Sequence, residues 1–201
     1  MDLMRIDPNR RLRTPAAILA TAARVLAERP DASTGDIAAA AGVGRATLYR
    51  YFPTREALLA ALEAQAHEEL AARITDAGLD RVPVPEALER LLRAFLAVSD
   101  CYVVLVREHE LGKDHHGMDA HHKELDSELM APIRAVFQRG VDDGVLRDDL
   151  GIDTLMELFG GIVLASLKAG VPRTLGVEET AATLVSYFLD GARRRDQPPA
   201  G

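Results

Sequence analysis

The sequence predicts an all-α protein, and three observations support this fold class. Apolar residues recur at spacings of three and four over most of the 201 residues, as they do along one face of an α-helix. Capping residues, prolines and glycines stand where such helices would begin and end. Convincing alternation of apolar and polar residues, the mark of a half-buried strand, is missing. We expect about nine helices, and an apolar fraction of 48% is ordinary for a globular protein.

The first predicted helix is marked by signals at both ends. Thr14 is expected to cap it, and Pro15 occupies the first helical position, where the missing N–H of proline is tolerated. Apolar residues at positions 18, 22, 25 and 26 then share one face. Because Pro30 cannot continue a helix, the sequence predicts one amphipathic helix that stops before it.

Two short helices separated by a glycine-containing turn are predicted next. Ser33 begins the first, with Asp36 three residues later as its capping-box partner, and Gly42 ends it. Gly44 completes the turn, and the second short helix covers residues 45–51. Two helices joined in this way are typical of a helix-turn-helix, whose second helix lies in the major groove of DNA.

Longer helices are predicted for the rest of the chain. Thr54 is expected to cap a fourth helix that runs to about Asp76. The segment 111–122 has two glycines and clustered histidines, so we expect a loop there. Pro132 lies inside a later helix and removes a backbone hydrogen bond, which predicts a kink or two abutting pieces. The later helices are expected from about Glu86, around Leu125 to Phe137, over about 153–169 and over about 177–193.

Positive charge is concentrated near the start of the chain. The whole sequence carries −7, which alone argues against a nucleic-acid partner because DNA is densely negative. Up to Arg55, however, nine arginines outnumber five acidic residues. A basic start on an acidic body is the distribution expected of a small DNA-binding head, since the body then avoids non-specific adhesion to DNA.

The helix predicted over 45–51 carries more polar and aromatic side chains than so short a helix can bury. Arginine can bind a guanine edge through two hydrogen bonds, threonine can contact a base edge, and tyrosine can bond a phosphate. The backbone donors at the starts of the second and fourth helices are natural phosphate ligands. The alternative is an amphipathic surface helix that packs against its neighbours. The side chains concerned are Arg45, Thr47, Tyr49, Arg50 and Tyr51, and the helix starts are at Thr34, Thr54 and Arg55.

Residues 14–62 resemble the TetR family of bacterial transcriptional repressors. The stretches ILATAARVLAERP, DIAAAAGVG and ATLYRYFPTREALL carry the resemblance, the last through its Tyr-x-Tyr-Phe followed by a basic residue and an apolar pair. The resemblance implies that Arg45, Ala46 and Thr47 face bases. It implies backbone-positioning roles for Thr34, Tyr49, Arg50, Tyr51 and Arg55, and a DNA-binding arm at Arg10, Arg11 and Arg13.

One position departs from the family pattern. A hydroxyl residue often opens the third helix in this family, whereas Gly44 stands here, so a side-chain bond from this position to phosphate is lost. For the arm, a solvated and disordered start is the alternative. The domains expected are a DNA-binding domain with a basic arm over 1–54, a ligand-binding and dimerisation domain over 55–195, and a disordered tail over 196–201.

The resemblance implies a homodimer that forms through the last two helices. The segment 153–169 is apolar over most of its circumference, and Gly160 and Gly161 in mid-helix each cost about 1 kcal/mol relative to alanine, which close helix approach would explain. Burial inside a monomer is the alternative. The residues predicted for the interface are Leu155, Phe159, Ile162, Leu184 and Phe188.

The resemblance also implies a small ligand between the helices of the body. Polar groups that interrupt apolar faces are the candidates, although plain core or surface positions are the alternative for each of them. A pocket with much apolar lining and few polar groups suits a hydrophobic effector, which the sequence does not identify. The candidate ligand residues are Phe95, Cys101, Tyr102, Arg107, His109 and Met130.

Five of the six histidines fall between His109 and His122, which raises the alternative of a metal-dependent enzyme or metal sensor. His122 and Asp126 could share a metal ion. The spacing is irregular, no His-Glu-x-x-His pair occurs, and a solvated polar loop explains the cluster as well. We find no nucleophile with a base, so we expect no catalysis, no metal and no cofactor.

The sequence as a whole predicts a ligand-responsive, homodimeric repressor that leaves a palindromic DNA operator when a small molecule binds. The single cysteine cannot form an internal disulfide, and no leader or span of roughly 18–20 apolar residues is found. We therefore expect a cytoplasmic protein with double-stranded DNA, a second copy of itself and a small hydrophobic effector as its partners.

Overall fold

A computed structural model describes residues 14–110 and 119–192, with side chains described except at position 106 and over 108–128. Its regular secondary structure within these ranges is helical, with no strand there, which confirms the predicted fold class. None of its helices is long and apolar enough to span a bilayer. A short 3-10 turn, Leu79–Arg81, precedes α5. The helices are α1 Pro15–Glu28, α2 Thr34–Ala40, α3 Arg45–Tyr51, α4 Arg55–Asp76, α5 Val84–Ala97, α6 Ser99–Glu110, α7 Asp119–Asp142, α8 Ile152–Lys168, α9 Val171–Leu175 and α10 Val177–Ala192.

Two elements differ from their predictions. Helix α9 was not predicted, because its five residues lie between Gly170 and Gly176 and are too few for a periodic pattern. Helix α7 continues through Pro132 as one helix rather than as two pieces. It also begins at Asp119, so its first turn takes in part of the segment that was expected to be a loop.

The described residues fall into two compact units. The first comprises residues 14–68 and 100–110, and the second comprises residues 69–99 and 119–192. Helix α4 contributes residues to both units, and the chain passes from the second unit back to the first between Ser99 and Asp100, at the start of α6. The DNA-binding domain predicted over 1–54 and the ligand-binding and dimerisation domain predicted over 55–195 are functional divisions of the chain, and they stay predictions.

The caps predicted for the first helices are present. Thr14 Oγ1 accepts a hydrogen bond from the Ala17 amide at 3.3 Å. The Ser33 hydroxyl accepts from the Asp36 amide at 3.2 Å, and the Asp36 carboxylate accepts from the Ser33 amide at 2.9 Å, which completes a capping box. Helix α2 ends where Gly42 adopts φ 65°, a left-handed conformation that favours glycine.

Each unit has a core of its own. In the first unit, Ile18, Ile37, Leu48 and Leu62 have no exposed surface, and Val104 from α6 joins this cluster. In the second unit, three phenylalanines from α7, α8 and α10 meet edge to face with ring centroids 5.1–6.0 Å apart. Such aromatic contacts add about 0.5–1.5 kcal/mol per pair to the stabilisation from burial. The three rings are those of Phe137, Phe159 and Phe188.

Candidate nucleic-acid interface

Helix α3 is held by one buried side chain and presents the rest of its surface to solvent. Leu48 is completely buried in the core of the first unit. Because side chains on a helix radiate around its axis, this anchor turns the opposite faces outward. Tyr49 and Tyr51 are 49% and 37% exposed, Arg45, Ala46 and Arg50 are exposed, and Thr47 is half-buried. The side chains expected to contact DNA therefore have surface available for contact.

Two aromatic side chains of α3 are tied to polar neighbours. The Tyr49 hydroxyl lies 3.4 Å from the Thr34 hydroxyl, which links α3 to the first turn of α2. Arg50 donates from Nη2 to the Tyr51 hydroxyl at 3.4 Å, and its Cζ lies 5.0 Å from the Tyr51 ring centroid. A cation over an aromatic face within about 6 Å is attracted to it. These pairs restrict phenol groups that would otherwise rotate freely in solvent.

Arg45, the first residue of α3, lies over Gly35 of α2. A β-carbon built at Gly35 would stand 2.9 Å from Arg45 Nη2 and 3.1 Å from Arg45 Cζ and Nε. These distances are shorter than van der Waals contact, so the guanidinium occupies space that any other residue at position 35 would fill. The sequence analysis did not single out Gly35, although a glycine inside a helix is itself a signal because it disfavours helix.

The turn between α2 and α3 borders an open depression of about 580 Å³. Three side chains predicted to contact or face DNA lie on its rim: Thr47, Arg50 and Tyr51. Gly44 is the N-cap of α3 and forms no side-chain cap, as glycine must. The backbone of the turn is therefore open at this point. The remaining lining residues are Thr14, Gly42 and Val43.

Arg55 and Thr54, both predicted to contact phosphate, have structural partners in the first unit. Arg55 donates from Nη2 to the Pro30 carbonyl oxygen at 2.9 Å and from Nη1 to the Ala32 carbonyl oxygen at 3.2 Å. Thr54 Oγ1 accepts from the Ala57 amide at 3.1 Å and so caps α4. Both side chains hold the start of α4 in place.

Asp36 has its charge stabilised locally. Hydrogen bonds from the Ser33 side chain and the Ser33 backbone lower the pKa of this carboxyl from its ordinary value of 3.8, and the nearby cations Arg29 and Arg45 act in the same direction. The carboxylate thus remains charged close to the helix that is expected to bind DNA. Its hydrogen bonds to Ser33 direct this charge toward the cap of α2.

The arm and part of the histidine segment lie outside the described residues. Arg10, Arg11 and Arg13 precede Thr14, and the side chain of His109 is among those not described. Among the side chains that are described, no group of three or more His, Cys, Asp or Glu could hold a metal ion. The roles predicted for the arm and for the histidines stay predictions.

The candidate ligand residues are divided between the two units. Phe95 packs against the core of the second unit, and Met130 of the same unit is 38% exposed. In the first unit, Cys101 packs against the core and burial raises the pKa of the Tyr102 phenol. Arg107, also in the first unit, has its Nη1 3.5 Å from the Leu26 carbonyl oxygen in the last turn of α1. Arg107 therefore supports the end of α1, which belongs to the first unit.

The residues predicted for the dimer interface separate into core and margin. Leu155, Phe159 and Phe188 are 0%, 4% and 3% exposed and pack within one chain. Ile162 and Leu184 are half-buried against the same core. The large apolar side chains that α8 and α10 expose are different ones, Leu158 at 50%, Val177 at 42% and Tyr187 at 70%. The sequence prediction thus selected side chains from the inner stripe of α8 and α10, and the choice of these helices for dimerisation stays a prediction.

The arrangement of α1 to α3, with a short exposed helix after a glycine turn, defines a helix-turn-helix protein, and comparison with known proteins agrees. Residues 18–62 match the family model described as bacterial regulatory proteins, tetR family. The regulator NfxB of Pseudomonas aeruginosa is 32% identical over 168 residues, which are 83% of this chain and 88% of NfxB. The chain belongs to the TetR family of transcriptional regulators and has the DNA-binding domain of that family.

The repressor LfrR of Mycolicibacterium smegmatis is also similar. It is 47% identical over 91 residues, and this match spans 45% of the present chain and about half of LfrR, 48%. A crystal structure of LfrR in complex with proflavine matches with a TM-score of 0.67 and 28% identity over 94% of this chain and 99% of that chain. These relatives are transcriptional regulators and not enzymes.

Proposed function

We propose that this protein is a homodimeric repressor that binds a two-fold symmetric operator and leaves it when a small hydrophobic effector binds. Residues 1–54 form the DNA-binding domain and residues 55–195 the ligand-binding and dimerisation domain. Such a regulator acts on chromosomal DNA and therefore in the cytoplasm. The similarity to LfrR, a transcriptional repressor, and to NfxB, a transcriptional regulator, supports a regulatory role.

The observation that carries the proposal is the orientation of α3. Its only fully buried side chain is Leu48, and its arginines and tyrosines are exposed. Tyr49 and Tyr51 remain 49% and 37% exposed, so packing within the chain accounts for only part of their surface and a binding partner accounts better for the rest. Duplex DNA suits them because arginine reads guanine edges and tyrosine bonds phosphate oxygens.

The residues of the interface divide by reach and chemistry. Arg45, Ala46 and Thr47 occupy the first turn of α3 and are assigned to base edges, since the first turn of a recognition helix faces the groove. The remaining residues are assigned to the sugar-phosphate backbone, where they set the register of the head on DNA. These are Thr34, Tyr49, Arg50, Tyr51, Thr54 and Arg55, together with the arm arginines Arg10, Arg11 and Arg13.

The dimer interface is assigned to the outer faces of α8 and α10. On α8, Leu158, Gly161 and Ala165 are exposed at spacings of three and four, and two of them are small enough for close helix approach. On α10, Tyr187 and Gly191 are exposed four residues apart. Two copies of this helix pair would bury the faces in a four-helix interface with two-fold symmetry. The half-buried Ile162 and Leu184 form its margin.

Effector binding is proposed to act through α4. This helix begins in the first unit, which contains α3, and ends in the second unit. A shift of α4 would alter the separation of the two α3 helices in a dimer. A coupling free energy of about 1–3 kcal/mol changes operator affinity by about 5- to 150-fold. Proflavine is the first probe to test, because the structure of LfrR was determined with it.

The test is selection of bound fragments from the source genome with the purified protein, followed by anisotropy measurements on an enriched fragment. We expect a two-fold symmetric sequence with half-sites about one helical turn apart. We also expect a titrated effector, with proflavine as the first probe, to lower affinity for that fragment but not for random DNA. No enrichment over random DNA would refute the proposal. A reporter gene behind the fragment distinguishes repression, in which deletion of the protein raises expression, from activation.

A further inference from the structure

We propose that Gly35 is a specificity-determining residue, because the absence of its side chain lets the Arg45 guanidinium lie over α2 in the conformation that reads DNA. This inference rests on the proposed function. It concerns a residue of α2, outside the recognition helix, and it assigns to glycine a role in positioning a neighbouring side chain.

The contact involves the whole guanidinium group. A β-carbon at Gly35 would lie 2.9 Å from Nη2, 3.1 Å from Cζ and 3.1 Å from Nε of Arg45. Three atoms of one planar group at nearly equal distances indicate that its flat face covers this position. Any side chain at position 35 would displace the guanidinium.

Backbone geometry gives no other reason for a glycine here. Gly35 lies inside α2, and it is not among the glycines with positive φ. Alanine is the better residue for an ordinary helical position, because glycine loses more conformational entropy on folding. The helix thus carries a destabilising residue, and the three atoms nearest to a β-carbon at this position all belong to Arg45.

Packing on Gly35 and the negative charge of Asp36 both act on the Arg45 side chain. The side chain is otherwise exposed. Asp36, which interacts electrostatically with Arg45, directs Oδ2 to the Ser33 amide and hydroxyl at 2.9 and 2.6 Å. An arginine that is already placed loses less side-chain entropy when it binds a guanine edge through two hydrogen bonds.

The test is a double-mutant cycle with the selected operator and with a matched duplex in which the guanines facing α3 are replaced. The proteins are wild type, Gly35→Ala, Arg45→Ala and the double variant, measured by fluorescence anisotropy with thermal unfolding as a check of the fold. We expect Gly35→Ala to lose about 5- to 150-fold in cognate affinity, the range of one lost base contact, with an unchanged or higher melting temperature. In the Arg45→Ala background, the added methyl group should have no further effect.

Gly151→Ala is the matched control. A β-carbon there meets no atom within 4 Å, and the position belongs to the second unit. Its operator affinity should equal that of wild type. A measurement without DNA accompanies the cycle: the Nε–Hε NMR signal of Arg45 should show greater mobility in Gly35→Ala than in wild type.

Each contrary outcome has its own meaning. If Arg45→Ala loses cognate affinity while Gly35→Ala keeps it, the inference fails and the proposed function stands. If Gly35→Ala loses as much affinity in the Arg45→Ala background as alone, the methyl group meets DNA directly and the positioning role is wrong. If Arg45→Ala retains full selectivity, or Arg45 is equally mobile with glycine or alanine at position 35, the inference also fails. Absence of any sequence preference in wild type would overturn the proposed function itself.

Discussion

The guanidinium of Arg55 donates a hydrogen bond to the carbonyl oxygen of Pro30, with Nη2 and O 2.9 Å apart. Pro30 lies in the connection between α1 and α2, and Arg55 is the first residue of α4. A second bond, from Nη1 to the Ala32 oxygen at 3.2 Å, reinforces the first. One charged side chain thus joins the start of α4 to the loop that orients α2, which makes Arg55 part of the framework of the head.

Replacement of Arg55 should destabilise the head in the absence of DNA. Arg55→Ala removes two charge-assisted hydrogen bonds to backbone carbonyls, a part-buried one to Ala32 and an exposed one to Pro30, so we expect the free energy of unfolding to fall by about 1–3 kcal/mol. Urea denaturation followed by circular dichroism measures this. Arg24→Ala, an exposed arginine on α1, is the control and should change stability by less than about 0.5 kcal/mol. Equal midpoints for both variants would show that Arg55 serves DNA contact alone.

Substitutions of base-facing and of backbone-facing residues should differ in how the loss of affinity depends on the DNA sequence. Thr47→Ala and Arg45→Ala should each weaken cognate operator binding by about 1–3 kcal/mol and affect random duplexes little. Tyr51→Phe removes one hydroxyl from a phosphate-facing position and should weaken binding to both duplexes alike. Anisotropy titrations on the two duplexes compare them. Parallel losses for all three variants would contradict the division of roles.

Polar substitution on α10 should have opposite consequences at adjacent positions. Tyr187 is 70% exposed and Phe188 is 3% exposed. Tyr187→Glu should yield a folded monomer, because it places a charge in the proposed interface. Phe188→Glu should cost at least about 3–5 kcal/mol and unfold the second unit, since it empties an aromatic cluster and buries a charge. Light scattering and circular dichroism together report both effects, and a Tyr187→Glu dimer as stable as wild type would relocate the interface.

Stability should depend on pH through the Asp36 carboxyl. Hydrogen bonds from Ser33 lower the pKa of Asp36 below its ordinary value of 3.8, so the charged form favours the folded state. This contribution is present in full above the unfolded-state pKa and is lost as the pH falls through the lower folded-state pKa. The stability difference between wild type and Asp36→Asn should therefore shrink below about pH 4. An NMR titration of Asp36 with its midpoint at or above 3.8 would contradict this.

Local signals in the sequence were sufficient to predict the head. The cap at Thr14, the capping box of Ser33 with Asp36 and the turn at Gly42 each depend on residues within a few positions of one another, and all three are present. The approximate bounds predicted for α3 and the approximate end predicted for α4 agree with the structure for the same reason. Periodicity and caps are local properties, and the head is built mainly from them.

Properties that depend on distant contacts could not be read in this way. The sequence of α8 is apolar around most of its circumference, so periodicity could not separate the inward Phe159 from the outward Leu158. The sequence predicts Arg55 as a phosphate ligand, because its hydrogen bond to the Pro30 carbonyl oxygen, 25 residues away, is a contact that only the structure shows. The packing of Arg45 on Gly35 likewise joins two helices.

The claim that α3 lies in the major groove is tested most directly by methylation interference on the selected operator. Methylation of guanine N7 alters only the major-groove edge of that base. The account predicts that methylated guanines in both half-sites abolish binding by wild type, and that Arg45→Ala becomes insensitive to methylation at the guanine it no longer contacts. Binding that is unaffected by guanine methylation in either half-site would contradict the account.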